Sequence, residues 1–518
     1  MTLRIFVPRD AAARAVGADR VADALVTEAH RLGIVLELVR TGSRGLFWLE
    51  PMVELETGGG RLAFGPMDPA DVPGLLALGP QAANAHPLCL GRPDDIRFLK
   101  RQTRITFARC GVIDPLSLDD YRAHGGYRGL ARALFLGPAA TIEEVVRSGL
   151  RGRGGAGFPT GIKWRTVADT DADRRYIVCN ADEGDSGTYA DRMLMEGDPF
   201  SVIEGMTIAG FAVGAAKGFV YIRSEYPDAI RVMNEAVNIA RASGCLGADA
   251  AGSGSAFDIE IRVGAGAYVC GEEMSLLESL EGRRGQVRAK PPLPAHKGLF
   301  GRPTVINNLL TLACVPAILA EGADRYATLG SGRSRGTMPI QLAGNVRHGG
   351  LFETAFGLTL DQIVDDIGGG TANGRPVRAV QVGGPLGAYF PRALFDTKFD
   401  YEAFAARDGL LGHGGIVVFD DRVDMARQAR FALDFCAHES CGKCTPCRIG
   451  SVRGTETMDR ILRGENVDAN LALIEDLCQT LKFGSLCALG GFTSYPVMSA
   501  LRHFPEDFSH PRLAAAAD

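Results

Sequence analysis

The stretch ESCGKCTPCRIG, residues 439–450, constrains this chain more than any other, because Cys441, Cys444 and Cys447 stand three apart and bring their sulfurs round one point. A C-x-x-C-x-x-C run with a remote fourth cysteine is typical of a [4Fe–4S] cluster, whereas structural zinc more often takes two separated C-x-x-C pairs. Cys487, in the glycine-flanked loop FGSLCALGG after a helix-like stretch, is the best candidate for the fourth thiolate. Zinc held by the three spaced cysteines and His438 is the alternative. Pro446 sits where a helix can begin just before Cys447. Lys443 and Arg448 offset the negative charge of a thiolate-bound cluster. Such a cluster moves one electron at a time, which raises the question of what two-electron chemistry feeds it.

The other cysteines do not suggest a disulfide framework. Twelve in 518 residues are few, and Cys89, Cys110, Cys179, Cys245, Cys314, Cys436 and Cys478 are scattered, as small buried hydrophobes usually are. A net charge of -5 gives no basic bias toward nucleic acid. No apolar run reaches the roughly 18 residues of a membrane span, and the start MTLRIFVPRD lacks the layout of a signal peptide, so a cytoplasmic protein is expected.

At this length several cores are expected, and the periodicity divides the chain into an α/β multidomain protein. Residues 1–78 run strand, helix, strand and hairpin, a small α/β layer fold. Residues 79–145 form a connecting helical segment. Strands alternate with helices of ten to fifteen residues over 146–334, the mark of an open α/β sheet. Short strands and turns return over 335–420 in a β-grasp-like pattern, and from 421 to 518 nearly everything has helical period, a bundle that carries the spaced thiols.

The 66 glycines exceed the usual ~7% and concentrate where backbone must approach something closely. GRGGAG (152–157) satisfies G-x-G-x-x-G, but a helix-like TIEEVVRSGL precedes it and Phe158-Pro159 follows, so it fails the context of a Rossmann fingerprint. Its backbone N–H groups can still cradle a phosphate, with Arg151, Arg153 and Lys163 adding positive charge; a tight structural turn is the alternative. CNADEGD (179–185) ends an apolar strand, the edge where open sheets bind ligands, and Asn180, Asp182 and Glu183 can meet ribityl hydroxyls there. GAGAYVCGEE leads through Gly271, Glu272 and Glu273 into a helix, where the glutamates are at least good dipole partners. Asn307 and Asn308 end another apolar segment, as a turn, a cap or a site.

Taken in order, GRGGAGFPTGIKW, NADEGD, GAGAYVCGEE, PTVINN and ESCGKCTPCRIG resemble the flavin-bearing, NADH-oxidising (51 kDa-type) subunit of respiratory complex I and its relatives, over roughly residues 145–505. The resemblance implies an α/β domain for FMN and NAD(H), a ubiquitin-like β-grasp domain and a helical [4Fe–4S] domain. It places Gly152, Gly154, Lys163, Asn180, Asp182, Tyr268, Gly271, Glu272, Asn307 and Asn308 around FMN, and Phe158, Asp185 and Glu273 along the nicotinamide nucleotide, with Asp185 and Glu273 nearest the chemistry. Three positions depart from the family pattern: Asp185 stands where a glutamate is usual, Thr166 where an aromatic follows, and Leu293 where a phenylalanine meets adenine. Residues 1–78 resemble the thioredoxin-like [2Fe–2S] partner of this family but hold no cysteine. Such an extension is similar to that of the β (diaphorase) subunit of soluble molybdenum- or tungsten-dependent NAD+ formate dehydrogenases. The resemblance implies a thioredoxin-like [2Fe–2S] subunit and a large iron–sulfur and molybdenum (or tungsten) subunit as partners. A complex I or NAD-reducing hydrogenase subunit, and a non-catalytic NADH-binding scaffold or sensor, are the alternatives.

Overall fold

The computed structural model describes residues 2–509, so the end of the expected last unit, 510–518, lies outside the described residues. Among the described residues three sheets of four or five strands and a helical bundle follow one another, with a two-stranded ribbon, Gly330–Ser331 and Ser334–Arg335, between the second and third sheets.

The first sheet has the order Val35–Thr41, Thr2–Pro8, Val53–Thr57, Gly60–Phe64, Cys89–Gly91, with the first pair parallel and the rest antiparallel. Its crossover helix, Ala18–Leu32, buries Val21, Ala22, Leu25 and Ala29 on one stripe and ends at Gly33, whose φ of 68° a side chain would strain. Helix Val72–Ala82 buries Val72, Leu75 and Leu76 in the same core. Gly79, with a φ of 61°, breaks this helix next to the expected boundary at residue 78, and the fifth strand, Cys89–Gly91, joins the same sheet from beyond that boundary. The unit is also no free appendage. Its loop sends Leu46 into the core of the third sheet, and a Cβ on Gly42 would lie 2.6 Å from Gly197 Cα.

The connecting segment carries the helices Leu118–Ala123, Arg128–Leu136 and Pro138–Arg147. One buried carboxylate pins its start: Glu353 accepts from the N–H groups of Ile105, Thr106 and Phe107 and from the Thr337 hydroxyl. Three backbone donors that a loop would otherwise leave unpaired are satisfied at once.

The second sheet is entirely parallel, in the order Asp258–Val263, Lys217–Ile222, Tyr176–Ala181, Thr304–Asn308. Helices Pro199–Val213 and Leu309–Glu321 are apolar nearly all round and buried, sharing one core with Ile177, Cys179 and Ala181 on one face of this sheet. Asn180 pairs in register with Asn308, so the strand Tyr176–Ala181 and the edge strand Thr304–Asn308 end within one residue of each other.

The third sheet has the order Gly350–Ala355, Thr337–Gly344, Gly415–Asp420, Val377–Val382, Ala388–Pro391, with its first strand in sequence, Thr337–Gly344, parallel to its last. The bundle then runs through Met425–Glu439, Thr445–Leu462, Val467–Gly484, Ala488–Phe492, Ser494–His503 and Glu506–Ser509. Pro446 lies in the first turn of its helix, where no N–H is needed. Of the scattered cysteines, all are buried except Cys89, which is half-buried. No helix among the described residues is long and apolar enough to cross a membrane.

Candidate functional site

The carboxyl ends of the parallel strands, the glycine loop and the segment 264–273 meet in one place. Asn180 donates through Nδ2 to the Gly271 carbonyl at 2.8 Å and accepts from the Asp182 N–H at 3.1 Å, which ties the end of one strand to the loop before helix Glu273–Leu280. Glycine is required at two close approaches. A Cβ on Gly154 would lie 2.9 Å from Asn308 Cβ and on Gly184 2.6 Å from the Tyr268 ring, whereas on Gly271 it would make ordinary contact, 3.4 Å from the Asp182 carbonyl. Gly152 holds the loop closed by donating to the Phe158 carbonyl at 2.8 Å.

Asp182 is the group that asks for a ligand. Burial pushes its carboxyl up to about 7, with Arg223 opposing, and its Oδ2 is buried without a hydrogen-bond partner. A buried acceptor of this kind is costly unless a donor reaches it. A polyol hydroxyl among the glycines would do so, and on this observation the residues fit a flavin ribityl chain.

Around it lies a lysine–glutamate set. Glu272 caps its helix through the N–H groups of Met274 and Ser275 and meets Lys290 at 2.9 Å. Glu273 meets Lys290 at 2.7 Å and Lys163 at 3.6 Å, and Lys163 also donates to the Ile306 carbonyl at 2.9 Å. Burial opposes ionisation of Glu273, yet Lys163 and Lys290 outweigh it and hold the carboxyl below its ordinary range. Lys290 was not foreseen, because seventeen residues separate it from Glu273 and no periodicity links them. Phe158 and Leu293 stand about half exposed, at 51% and 49%, as apolar surfaces open to a flat ligand. Asp185 accepts from the Tyr268 hydroxyl at 2.8 Å, and burial pushes its carboxyl up.

Several expected ligands are occupied by the protein itself. Asn307 accepts from Trp164 Nε1 at 2.8 Å, while Asn308 caps the following helix and donates to Asp191 at 2.9 Å. Glu183 is engaged by the protein as well. Its buried carboxylate accepts from the N–H groups of Asp191 and Arg192 and from the Tyr226 hydroxyl, with His413 Nε2 3.2 Å away. Arg153 is likewise no counter-charge for a phosphate. It is 1% exposed, and its guanidinium meets the carbonyls of Arg151, Arg335 and Thr337 and the Tyr326 hydroxyl. Arg151 is paired with Glu402 at 2.6 Å.

The spaced cysteines lie against this site. Val178, Tyr221, Cys270 and Leu277 share a buried cluster with Cys436, Cys447 and Leu489, and Cys441, Cys444 and Cys487 pack on it. Cys478 belongs to a different core, with Ile474 and Leu481. Cys444 and Cys487 occupy the positions just before helices Thr445–Leu462 and Ala488–Phe492; burial pushes the Cys487 thiol up to about 11 against the N–H groups of Leu489 and Gly490. A hydrogen bond with Cys436, the Ser440 hydroxyl and the charge of Arg448 lower the Cys447 thiol against the cost of burial, which suits a metal-bound thiolate. His438 points away: its ring is mostly exposed and sits at 2.8 Å from the Asp434 carbonyl, so the Cys3His zinc alternative loses its fourth ligand.

Comparison with known proteins agrees with this arrangement. Residues 145–317 match the Nuo51 FMN-binding domain, and residues 427–511 match the NADH-ubiquinone oxidoreductase-F iron-sulfur binding region. The chain is 48% identical over 409 residues to the HndC component of the NADP-reducing hydrogenase of Solidesulfovibrio fructosivorans, 79% of this chain and 83% of that one. It is 39% identical over 397 residues to the F-type subunit of the NADH-quinone oxidoreductase of Escherichia coli, 76% and 89% of the two chains. A solved NAD+-reducing [NiFe]-hydrogenase in the H2-reduced state superposes with a TM-score of 0.69 at 29% identity, over 98% of this chain and 84% of that one. The chain belongs to the family of 51 kDa-type (F-type) subunits of NADH-quinone oxidoreductase, with an FMN-binding domain, a 4Fe-4S region and NADH as substrate.

Proposed function

We propose that this chain is the diaphorase subunit of a soluble NAD+-reducing formate dehydrogenase, exchanging electrons between NAD(H) and the cluster held by Cys441, Cys444, Cys447 and Cys487. That it is an NAD(H)-dependent flavoprotein subunit of the complex I and hydrogenase type follows from its family. The observation carrying the site is the single buried cluster that joins the Asp182 pocket to the cysteines. FMN, once bound, supplies the conversion between hydride transfer and single-electron transfer.

The chain's own residues do the rest. Gly152, Gly154 and Gly271 let backbone approach the flavin, and Asp182 accepts a ribityl hydroxyl. Lys163 and Lys290 carry positive charge where phosphates come in, tempered by Glu272 and Glu273. Phe158 and Leu293 offer flat apolar contact for the nicotinamide nucleotide, and Asp185 with Tyr268 borders it.

Support for the formate reading comes from the amino-terminal unit. Its strand order suits a thioredoxin-like fold, and its one cysteine, Cys89, cannot hold a cluster alone. The third sheet's strand order likewise suits a ubiquitin-like β-grasp domain. The partners implied are a thioredoxin-like [2Fe–2S] subunit and a large molybdenum- or tungsten-containing subunit in the cytoplasm. A second reading, an NAD-reducing hydrogenase flavoprotein, is favoured by the hydrogenase likeness over 98% of the chain. Purification with the native partners, followed by NAD+ reduction with formate or with hydrogen, separates the two. Formate-driven turnover with molybdenum or tungsten present supports the first reading, and hydrogen-driven turnover with nickel overturns it. A colourless protein that NADH does not bleach would indicate a scaffold instead.

A further inference from the structure

Between the second and third sheets lies a cluster that the flavin and iron–sulfur readings leave unused. Glu183 follows strand Tyr176–Ala181, Asp191 stands in the first turn of helix Ala190–Gly197, and His413 precedes strand Gly415–Asp420. All three are buried, at 5%, 1% and 6% exposure. His413 Nδ1 sits 2.9 Å from the Arg153 carbonyl oxygen, which can only accept, so Nδ1 carries the ring proton. Nε2 then faces Glu183 Oε1 and Asp191 Oδ1, each at 3.2 Å. Two carboxylates facing one ring nitrogen in a buried space call for positive charge there, either a second ring proton or a metal ion.

The geometry bears on which cation. Neither oxygen lies in hydrogen-bonding line with Nε2, and both Nε2 and Asp191 Oδ1 are buried without a hydrogen-bond partner. A ring proton on Nε2 would thus point at neither carboxylate. A metal ion suits the same spacing: the three ligand atoms lie within 4.8 Å of one another. Bonds of about 2.0–2.2 Å to nitrogen and oxygen in a tetrahedral site hold ligand atoms about 3.3 Å apart.

Each ligand is also oriented from behind, as metal ligands commonly are. Glu183 accepts from the Arg192 N–H and the Tyr226 hydroxyl, each at 3.1 Å, and Asp191 Oδ2 accepts from Asn308 Nδ2 at 2.9 Å. We propose that Glu183, Asp191 and His413 bind a divalent cation of the zinc class, a structural bolt that fastens the third sheet to the parallel sheet behind the flavin pocket. An imidazole with two carboxylates suits such an ion, and a water can take the fourth position.

The test uses the full chain with its native partners, purified without chelator and then dialysed against Zn2+. Elemental analysis should find about one zinc per chain beside the iron, and zinc-edge absorption should show a nitrogen and oxygen shell without sulfur. His413→Gln should lose that zinc while iron and FMN content stay. If His413→Gln does not fold, His413→Cys provides the second measurement: its thiolate should keep the zinc and add one sulfur to the shell. The proposal is overturned if the parent protein takes up no zinc, which leaves an imidazolium ion pair, if the zinc sits in an all-sulfur shell at the cysteines, or if the spectrum of His413→Cys gains no sulfur.

Discussion

The Tyr268 N–H donates to Glu439 Oε2 at 2.9 Å, so the loop bordering the flavin pocket is bonded to the residue two places before the first cluster cysteine. The Tyr268 ring also packs edge-on against Phe435, 4.9 Å between centroids, and its hydroxyl reaches Asp185. Tyr268 thus links Asp185 to the helix that leads to the spaced cysteines. Glu439→Ala should leave FMN content and NADH-to-ferricyanide activity near parent values but slow cluster reduction by NADH about tenfold, the scale expected of a small misplacement. Rapid-mixing absorbance of the cluster checks this, and an unchanged rate would deny the bond a positioning role.

Asp182 should matter to flavin retention before it matters to turnover. Its unpartnered Oδ2 is a buried acceptor, and hydrogen bonds to charged groups contribute about 1.5–3 kcal/mol. Asp182→Ala should therefore weaken FMN binding roughly 10- to 100-fold. Fluorescence titration of the deflavinated protein measures it, and excess FMN should restore activity. Parent-like affinity would place the ribityl chain elsewhere.

The parts of the site legible in the sequence are those set by local spacing. Cys441, Cys444 and Cys447 announce themselves because a short run must converge, and the glycine at 154 because only a missing Cβ fits against Asn308. The helices of the bundle follow from their period. What stayed hidden depends on residues far apart in the chain. Glu183 sits in the same acidic run as Asp182, and nothing local tells that its carboxylate turns to His413, 230 positions on, while that of Asp182 is left open. Arg153 looks like a phosphate ligand from its neighbours, yet carbonyls of Arg335 and Thr337 claim it. The fifth strand of the first sheet, Cys89–Gly91, lies beyond the expected boundary at residue 78 and is too short to show a period of its own.

Cys487 should close the cluster. It packs with Cys441 and Cys444 on the core that contains Cys447, whereas Cys478 is buried with Ile474 and Leu481 in another. Cys487→Ala should lose the paramagnetic signal of the reduced cluster and retain FMN and NADH-to-ferricyanide activity. Cys478→Ala, by contrast, should keep the signal. An intact cluster in the Cys487 variant would refute the assignment.

Glu273 should govern the choice between NADH and NADPH by holding two lysines. Its carboxylate lies 2.7 Å from Lys290 and 3.6 Å from Lys163, so removing its charge leaves Lys290 with Glu272 and Lys163 with the Ile306 carbonyl, and more net positive charge for an incoming phosphate. Glu273→Gln should raise the NADPH:NADH ratio of kcat/KM about tenfold, equivalent to about 1.4 kcal/mol of discrimination. Steady-state kinetics with both nucleotides decides it, and an unchanged ratio would mean that the extra phosphate lies beyond reach of these lysines.

Glu50 should make stability fall as pH rises. Burial, reinforced by nearby Asp10, pushes its carboxyl up to about 8, although the Ser43 hydroxyl and the Met52 N–H oppose the shift. The folded chain therefore keeps a proton that the unfolded chain releases near the ordinary glutamate value of about 4.3. The contribution is complete below that value, declines between it and about 8, and is lost above. For a single proton the slope is at most about 1.4 kcal/mol per pH unit. Urea midpoints of the parent should fall from pH 5.5 to 8.5, those of Glu50→Gln should fall less, and the two should differ most at the alkaline end. Parallel curves for the two proteins would show that Glu50 is already ionised in the folded chain.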